Sequence, residues 1–588
     1  MRPRAWLLAF LYFGATATGA RAQANAAGHA NDVVMQAMRD ELARSVEQLR
    51  LDTLPKPYFI AYRVAESQFN SVAARLGSLF GRGDNSRTRF LSVEVHVGDY
   101  AFDNTNYFGA GFVPSSFVGF GFMPLDDDYQ EIRRQLWIAT DRAYKQALEA
   151  LAQKRAALET RMRPEEVADF SREAVHTDTD ETPAPAFNRS DAEALVRSLS
   201  ATFRAVPEIY NSNVALSSGW SLTRYLNSEG TSFTRAAPRV TLNVLANTQA
   251  VDGMPLADSY DVAVTSQAGL PSRDSLLAAA RGLTARLTQL RQVPLADSYE
   301  GPVLFEESAA VELFNAIVAP KLIATRRPVA NPQFDRMMAS ATNDWLDLLG
   351  TPVLPRFLSI VDDPTLRSID GIPVDAYRVD DDGVPARATT VVEHGMLKTL
   401  LTTRVPVTGI AHSTGHRRGT GAMPSHVVVT ADSAMTAPEL RRKLLALAAS
   451  QGLEYAIVVR RLANPRATAQ LDPFAMMAVM MSSGSDAPRV QTLAAFKVFA
   501  DGREEPVRGA DITGLSAASF KTIVAASQTR TVYTTSLMSR TTPFAGGGGA
   551  GLVTYAMPSL LFANVSLRRP RGGNPRLPLV SPPSLDAR

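Results

Sequence analysis

No cysteine occurs anywhere in the 588 residues. That absence removes disulfides, thiolate metal ligands, thiol catalysis and lipid attachment through an N-terminal cysteine. The fold must therefore be held by burial, which a chain of this length can supply. Two or more domains of ordinary size are expected.

The first 22 residues read differently from the rest. Arg2 and Arg4 precede an apolar run from Ala5 to Phe13, and small residues follow, ending in Ala20-Arg21-Ala22. Basic, apolar and A-x-A segments in that order describe a secretory leader cleaved after Ala22. The apolar run is shorter than the roughly 20 residues that span a bilayer. The expectation is an exported protein, periplasmic or fully secreted, with no membrane span. Cleavage removes Arg2, Arg4 and Arg21, which takes the 61 Lys+Arg to 58, equal to the 58 Asp+Glu. A neutral chain lacks the concentrated basic surface that phosphate binding needs, so no nucleic-acid partner is expected. Arg568, Arg569, Arg571, Arg576 and Arg588 lie among prolines and glycines, and residues 568–588 read as a disordered tail.

Met35, Met38, Leu42, Val46 and Leu49 recur at helical spacing behind Asn31 or Asp32 as cap. Leu91, Val93, Val95 and Val97 alternate with Ser92, Glu94 and His96, which predicts a half-buried strand with His96 on its wetter face. The segment Gly81-Arg82-Gly83-Asp84 reads as a loop. Asp126 to Asp128 open a long helix through Ile132, Leu136, Ala139, Ala143, Ala147 and Leu151, with Lys154-Arg155 near its end where cations suit the helix dipole. Thr177 to Pro185 reads as a linker or loop, and Val214 to Val264 as several strands around the turn Asn227-Ser-Glu-Gly230. The hexapeptide Pro255-Leu-Ala-Asp-Ser-Tyr260 recurs at Pro294 to Tyr299, with a helix from Ser275 to Leu290 between the copies. One pair is not a repeat array.

The second half opens with a strand, Pro302 to Phe305, running into a helix with Ala310, Leu313, Phe314 and Ile317. Hairpins are expected at Pro373 to Asp380 with the turn Asp381-Asp-Gly383, and at Ala388 to Glu393 with the turn His394-Gly395 leading into Leu397 to Leu401. A helix follows at Pro438 to Gln451, then strands at Ala456 to Arg460, Leu493 to Phe499 and Val532 to Thr535. Gly546 to Gly549 reads as a flexible tip. The fold class expected is α+β: an N-terminal α/β domain over 23–295, then a C-terminal domain over 296–567. The latter is built on a largely antiparallel, curved β-sheet with helices on one side.

Several segments then fall into a recognisable order. They are Gly301-Pro-Val-Leu-Phe-Glu-Glu-Ser-Ala-Ala-Val-Glu-Leu-Phe314, Val361-Asp-Asp-Pro-Thr365, Asp381-Asp-Gly-Val-Pro385, Val392-Glu-His-Gly-Met-Leu-Lys398, Ser413-Thr-Gly-His-Arg417 and Pro558-Ser-Leu-Leu-Phe562. In this order and spacing they resemble the C-terminal domain of the TldD/TldE (PmbA) metallopeptidase-related family. The likeness is strong after residue 295 and looser before it, where the Asn-Ser-Glu-Gly turn and the Trp137 to Lys154 helix resemble exported members.

The resemblance carries a specific expectation about metal. Active members bear H-E-x-x-x-H and a downstream Cys, which together hold an ion, with the Glu as general base for metal-bound water. Laid on this chain, that motif puts Phe305 and Ala310 at the two histidine positions and Glu306 at the acid. Neither Phe nor Ala has a lone pair to donate, and there is no cysteine. Glu306 is then a vestigial catalytic residue, or an acid that simply favours a helix start. No cofactor is expected in the chain itself, with zinc confined to a partner subunit or to a non-standard site.

Other histidines offer a substitute. His394, His412, His416 and His426 fall in the same half, with Asp362 and Asp363 close in sequence. The residues between and after His412 and His416 describe a basic, flexible loop, in which Arg417 and Arg418 oppose a cation. His412, His416 and Arg417 are instead candidate peptide contacts through charge-assisted hydrogen bonds. Other signatures are missing: Gly514-Leu-Ser-Ala-Ala518 fails as a G-x-S-x-G elbow, and no Walker A or H-E-x-x-H occurs. Met476, Met477, Met480 and Met481 read as a packed helix face or an adaptable binding surface.

The resulting expectation is a non-catalytic TldE-like subunit. Its partners would be a metal-bearing TldD-like homologue, or a second copy of itself as a dimer, and a peptide added to a sheet edge. The alternatives are a peptidase with a non-standard metal site, and a structural or peptide-binding exported protein.

Overall fold

The computed structural model describes residues 32–81, 85–108, 121–159, 166–330, 343–464, 490–536 and 552–570. The leader, most of the Gly81 to Asp84 loop, the methionine run, the glycines at 546–549 and the tail beyond 570 lie outside the described residues. Arg568 closes a strand and does not open the tail.

The first half is one mainly antiparallel sheet with helices on one face. Its elements are α1 (Val33–Gln48), β1 (Pro57–Arg75), β2 (Asn85–Val97), α2 (Tyr129–Glu159), α3 (Arg189–Ala201), β3 (Asn211–Asn227), β4 (Ser232–Gln249), β5 (Pro255–Val264) and α4 (Arg273–Leu290). The order across the sheet is β2–β1–β3–β4–β5. Asp32 caps α1, its carboxylate accepting the Met35 N–H at 3.0 Å. Met35, Met38 and Leu42 are buried from that helix, while Val46 is exposed.

Strand alternation decides what each face meets. Ile60, Tyr62 and Val64 of β1 and Leu91, Val93 and Val95 of β2 pack under α1 and α2. Farther along the same strands, Val72, Val214, Leu216, Val240 and Leu242 pack under α3 and α4. Each such side chain contributes about 1.5–3 kcal/mol on burial, so this face dominates the stability of the unit. Residues Thr177–Thr179, expected in a loop, form a short strand parallel to β4 because its edge still offers backbone partners there.

The second half comprises β6 (Tyr299–Phe305), α5 (Glu307–Ile317), β7 (Leu358–Asp362), β8 (Thr389–Glu393), β9 (His426–Ala431), α6 (Ala437–Ser450), β10 (Tyr455–Leu462), β11 (Val490–Phe499), β12 (Ile523–Ser536) and β13 (Leu552–Arg568). Pairing is mainly antiparallel, with parallel contacts of β6 to β10 and β9 to β13. The ladder from β6 through β10, β11, Asp511–Thr513 and β13 returns to β6, so this part of the sheet closes on itself. The class is α+β.

Helices cover both faces of this sheet, not one. Val303 and Phe305 point into the cluster that holds Ala310, Leu313 and Phe314 of α5. Leu304, between them, points into the cluster of Leu440, Leu444 and Ala448 from α6. A strand buried on both sides reads as a continuous apolar run, and Pro302 to Phe305 is one.

Two hairpin expectations divide. The turn His394-Gly395 connects β8 to Met396–Leu397, with positive φ at both residues and no room for a Cβ at Gly395, where Leu354 O would lie 2.4 Å away. Of Pro373 to Asp380, only the end forms a hairpin: Val379 bridges Pro385 antiparallel across the turn at 381–383, with Asp380 N–H donating to Val384 O at 2.9 Å and Ala386 N–H to Arg378 O at 2.8 Å, while Pro373 pairs with Ser368.

Candidate functional site

The locus that the resemblance marks lies where β6 enters α5. Phe305 and Ala310 are wholly buried, and the Phe305 ring meets that of Phe562 edge-on at 5.5 Å. Glu306 occupies the N-cap position of α5 but makes no cap hydrogen bond. Its carboxylate accepts Arg460 Nε at 3.0 Å and lies 3.5 Å from Arg441 Nε, and both arginines also reach Glu504. Glu306 therefore stitches α5 to β10 and α6 in an ion cluster. Two hydrocarbon side chains and an acid already held by two guanidiniums do not fit a zinc ion. Among the described residues, no three His, Asp or Glu side chains converge as a metal site.

The four histidines of the substitute site are each engaged separately. His394 is exposed on a turn, 2.9 Å from Asp432. His412 is the solvent-facing member of its loop, its side chain 68% exposed and 3.5 Å from Glu173. His416 is fully buried, with Nδ1 2.9 Å from Thr414 O and Nε2 3.2 Å from Asp362. His426 is buried against the Asp363 carbonyl at 2.9 Å. The loop is thus neither flexible nor wet: Ser413, Thr414 and His416 are buried, with Ser413 N–H donating to Glu173 and Thr414 Oγ1 accepting the Thr402 N–H. Arg417, a candidate peptide contact, is turned inward as well, pairing with Asp382 and lying 3.6 Å from Glu94.

These contacts belong to a larger polar seam between the two sheets, which sequence reasoning missed. Arg404 of the second unit is buried between Phe59 and Phe170 of the first, 5.1 and 4.0 Å from their ring centres. Its guanidinium grips Glu229, at the Asn227 to Gly230 turn, at 2.6 and 2.8 Å. Arg63 and Arg235 of the first sheet converge on Asp381, and Arg235 also donates to the Val379 carbonyl at 2.7 Å. Gly383 passes so close to the first unit that a Cβ would lie 2.5 Å from Thr231 Cγ2.

His96 and Lys154 also differ from expectation. The outer face of β2 is covered by this seam, so His96 is buried, bonded to Asp103 at 2.8 Å and Glu94 at 2.9 Å. Burial alone would lower its pKa, but the two carboxylates outweigh it and hold His96 up to about 9. Lys154 is not a solvated helix-end cation: it is buried on Asp169 at 2.6 Å and donates to the carbonyls of Asp103 and Thr105.

Sequence comparison finds that residues 298–444 match the model described as the PmbA/TldA metallopeptidase C-terminal domain. The matched residues lie in the second half of the chain. No curated protein matches the chain in sequence. Solved structures share its fold over most of its length. TldE from Thermococcus kodakarensis is 14% identical, with a TM-score of 0.55 over 90% of this chain and 100% of that one. A proposed modulator of a DNA gyrase from Thermotoga maritima MSB8 is 14% identical, with a TM-score of 0.54 over 87% and 96%. A similarly described protein from Bacteroides thetaiotaomicron VPI-5482 is 12% identical, with a TM-score of 0.55 over 91% and 98%. Phe305, Glu306 and Ala310 fall within the matched residues.

Proposed function

We propose that this chain is an exported, non-catalytic, TldE-like subunit that holds extended peptide and pairs with a metal-bearing TldD-like peptidase or with a second copy of itself. One observation carries the reading: the positions that need imidazoles to hold zinc are filled by Phe305 and Ala310, both sealed in the apolar core. The family domain supports a peptide-related role, and the shared fold of a protein named TldE supports the pairing. Residues 1–22 support export.

An extended peptide needs unpaired backbone groups to join. Among the described residues β5 makes ladder pairs with β4 alone, and since Arg461 already takes the Ser259 carbonyl, such addition would fall on its Tyr260–Val264 end. With His416 and Arg417 committed to the seam, His412 is the member of the loop left to meet a peptide. The test is peptidase activity on an unstructured peptide by the chain alone, by its TldD-like homologue alone, and by the mixture. Activity that rises only on mixing supports the reading; chelator-sensitive cleavage by the chain alone overturns it.

A further inference from the structure

The face of the first sheet turned away from its helices meets the second unit at one end, where Phe59, Ala61 and Phe233 pack with Val379. Farther along the strands that face changes character. Val72 and Ala74 of β1 point under α3, so alternation turns Phe69, Ser71 and Ala73 the other way. Opposite these three in β3 stand Gly219, Ser217 and Ala215, and Ser67 stands opposite Ser221. All of these residues are uncharged, and all but Phe69 are small.

The β2 side of the same face is aromatic. Phe90 stands opposite Ala65 and Phe122 opposite Phe90, their rings edge-on at 5.5 Å. Phe80 lies level with Ala73, its N–H donating to the Ala73 carbonyl at 2.8 Å, with the Arg75 guanidinium 3.8 Å from its ring centre. Phe69 leans toward β3, where a Cβ at Gly219 would lie 4.0 Å from its ring. Phe69, Phe80 and Phe122 are 39%, 53% and 76% exposed. A cluster of wet phenylalanines on an uncharged face marks an interaction surface. Phe90, Phe69 and Phe80 follow one another at four-residue steps, about 13 Å each. They form a ridge that runs as far as the strip of small residues beside it in β3.

We infer that this ridge and strip are the surface by which two copies of this chain pair, face to face about a two-fold axis along the strands. Such an axis lays the ridge of each copy on the strip of the other, so the fit is self-complementary. Stacked sheets interdigitate in this way about 10 Å apart. The stretch measures about 30 by 19 Å. That is roughly 600 Å² of face per copy before side-chain relief, near the 800 Å² or so per partner of a standard interface. Between Ala65 and Ala73 the described strands turn no charged side chain to this face, so nothing repels when like meets like. An extended peptide would find no free backbone here, because β1 is already paired with β2 on one side and β3 on the other. The inference rests on the second-copy form of the proposed pairing and names its surface.

Sedimentation velocity of the purified full chain at micromolar concentration tests it. The wild type is expected to run as a dimer, and Phe69→Glu as a monomer with an unchanged circular dichroism spectrum. Ser221→Glu, on the strip, is expected to behave alike and serves if Phe69→Glu does not fold. A monomeric wild type, or folded variants that remain dimeric, overturns the inference. Adding the TldD-like homologue separates this surface from the peptidase reading. A wild-type dimer lost in the variants, with no peptidase activity on mixing, upholds the surface while the peptidase pairing falls. A monomeric wild type whose binding to the homologue is abolished by Phe69→Glu gives the surface to that homologue and overturns the inference.

Discussion

Arg404 and Glu229 form a two-pronged link between the two units, with guanidinium–carboxylate contacts at 2.6 and 2.8 Å and the Phe170 ring 4.0 Å from the guanidinium. The arginine comes from the second unit, within the residues that match the PmbA/TldA domain model, and the acid from the turn between β3 and β4. Because Arg404 is buried, its value lies in completeness: removing one partner leaves the other charge desolvated and unpaired.

Glu229→Gln is therefore expected to cost about 3 kcal/mol of unfolding free energy, and Arg404→Ala at least as much through the added cavity. Urea denaturation followed by circular dichroism measures both. Losses below about 0.5 kcal/mol would show the pair to be as weak as a surface contact.

The apolar state of the family's metal position makes a second prediction. Phe305→His with Ala310→His places two imidazoles in a packed core, with no cysteine to complete a site. Large changes to buried Phe cost about 3–5 kcal/mol, and zinc should not restore the loss. Thermal melts with and without zinc decide this, and a zinc-dependent rise in melting temperature would speak against the account.

His96 sets a third expectation. Its folded pKa of about 9 lies above the ordinary histidine value, so its contribution is full below about pH 6.5 and fades as pH rises through 9. His96→Gln should destabilise most at pH 6 and least at pH 10. A destabilisation independent of pH would mean the imidazolium is not what the two carboxylates hold.

Glu312 on α5 gives a fourth. Burial raises it to about 7, against the opposing pull of Arg461 at 3.3 Å. The raised carboxyl costs stability progressively as pH climbs from about 4 to 7. Glu312→Gln should gain on wild type across that interval, by about 2 kcal/mol at pH 8. Parallel pH profiles for the two proteins would refute it.

Much of this architecture can be read from residues alone where one face of an element is buried. Leu91, Val93 and Val95 alternate because α1 and α2 cover one side of β2, and the helix through Ile132, Leu136 and Ala143 shows its stripe for the same reason. The seam is illegible for a physical reason: alternation reports which residues are polar, not whether their side is wet. His96 and Asp380 to Asp382 look solvated and are buried, and Glu94 is half-buried, because their side of the strand or turn meets other elements, in part from hundreds of residues away. Arg63 and Asp381 are an example, 318 positions apart in sequence. Context also overrides local sequence outright. Pro255 to Tyr260 lies within strand β5, whereas its copy at 294–298 runs irregularly and joins a strand only at Tyr299. Phe305 and Ala310 are legible in the opposite sense: no fold could turn them into metal ligands.

If Phe305 and Ala310 leave the chain without a metal site, as proposed, it holds no zinc of its own. The measurement is zinc bound per chain, by elemental analysis of the purified protein incubated with zinc and freed of excess by gel filtration. The account predicts a value indistinguishable from zero; one zinc per chain, removed by chelator with loss of peptidase activity, would contradict it.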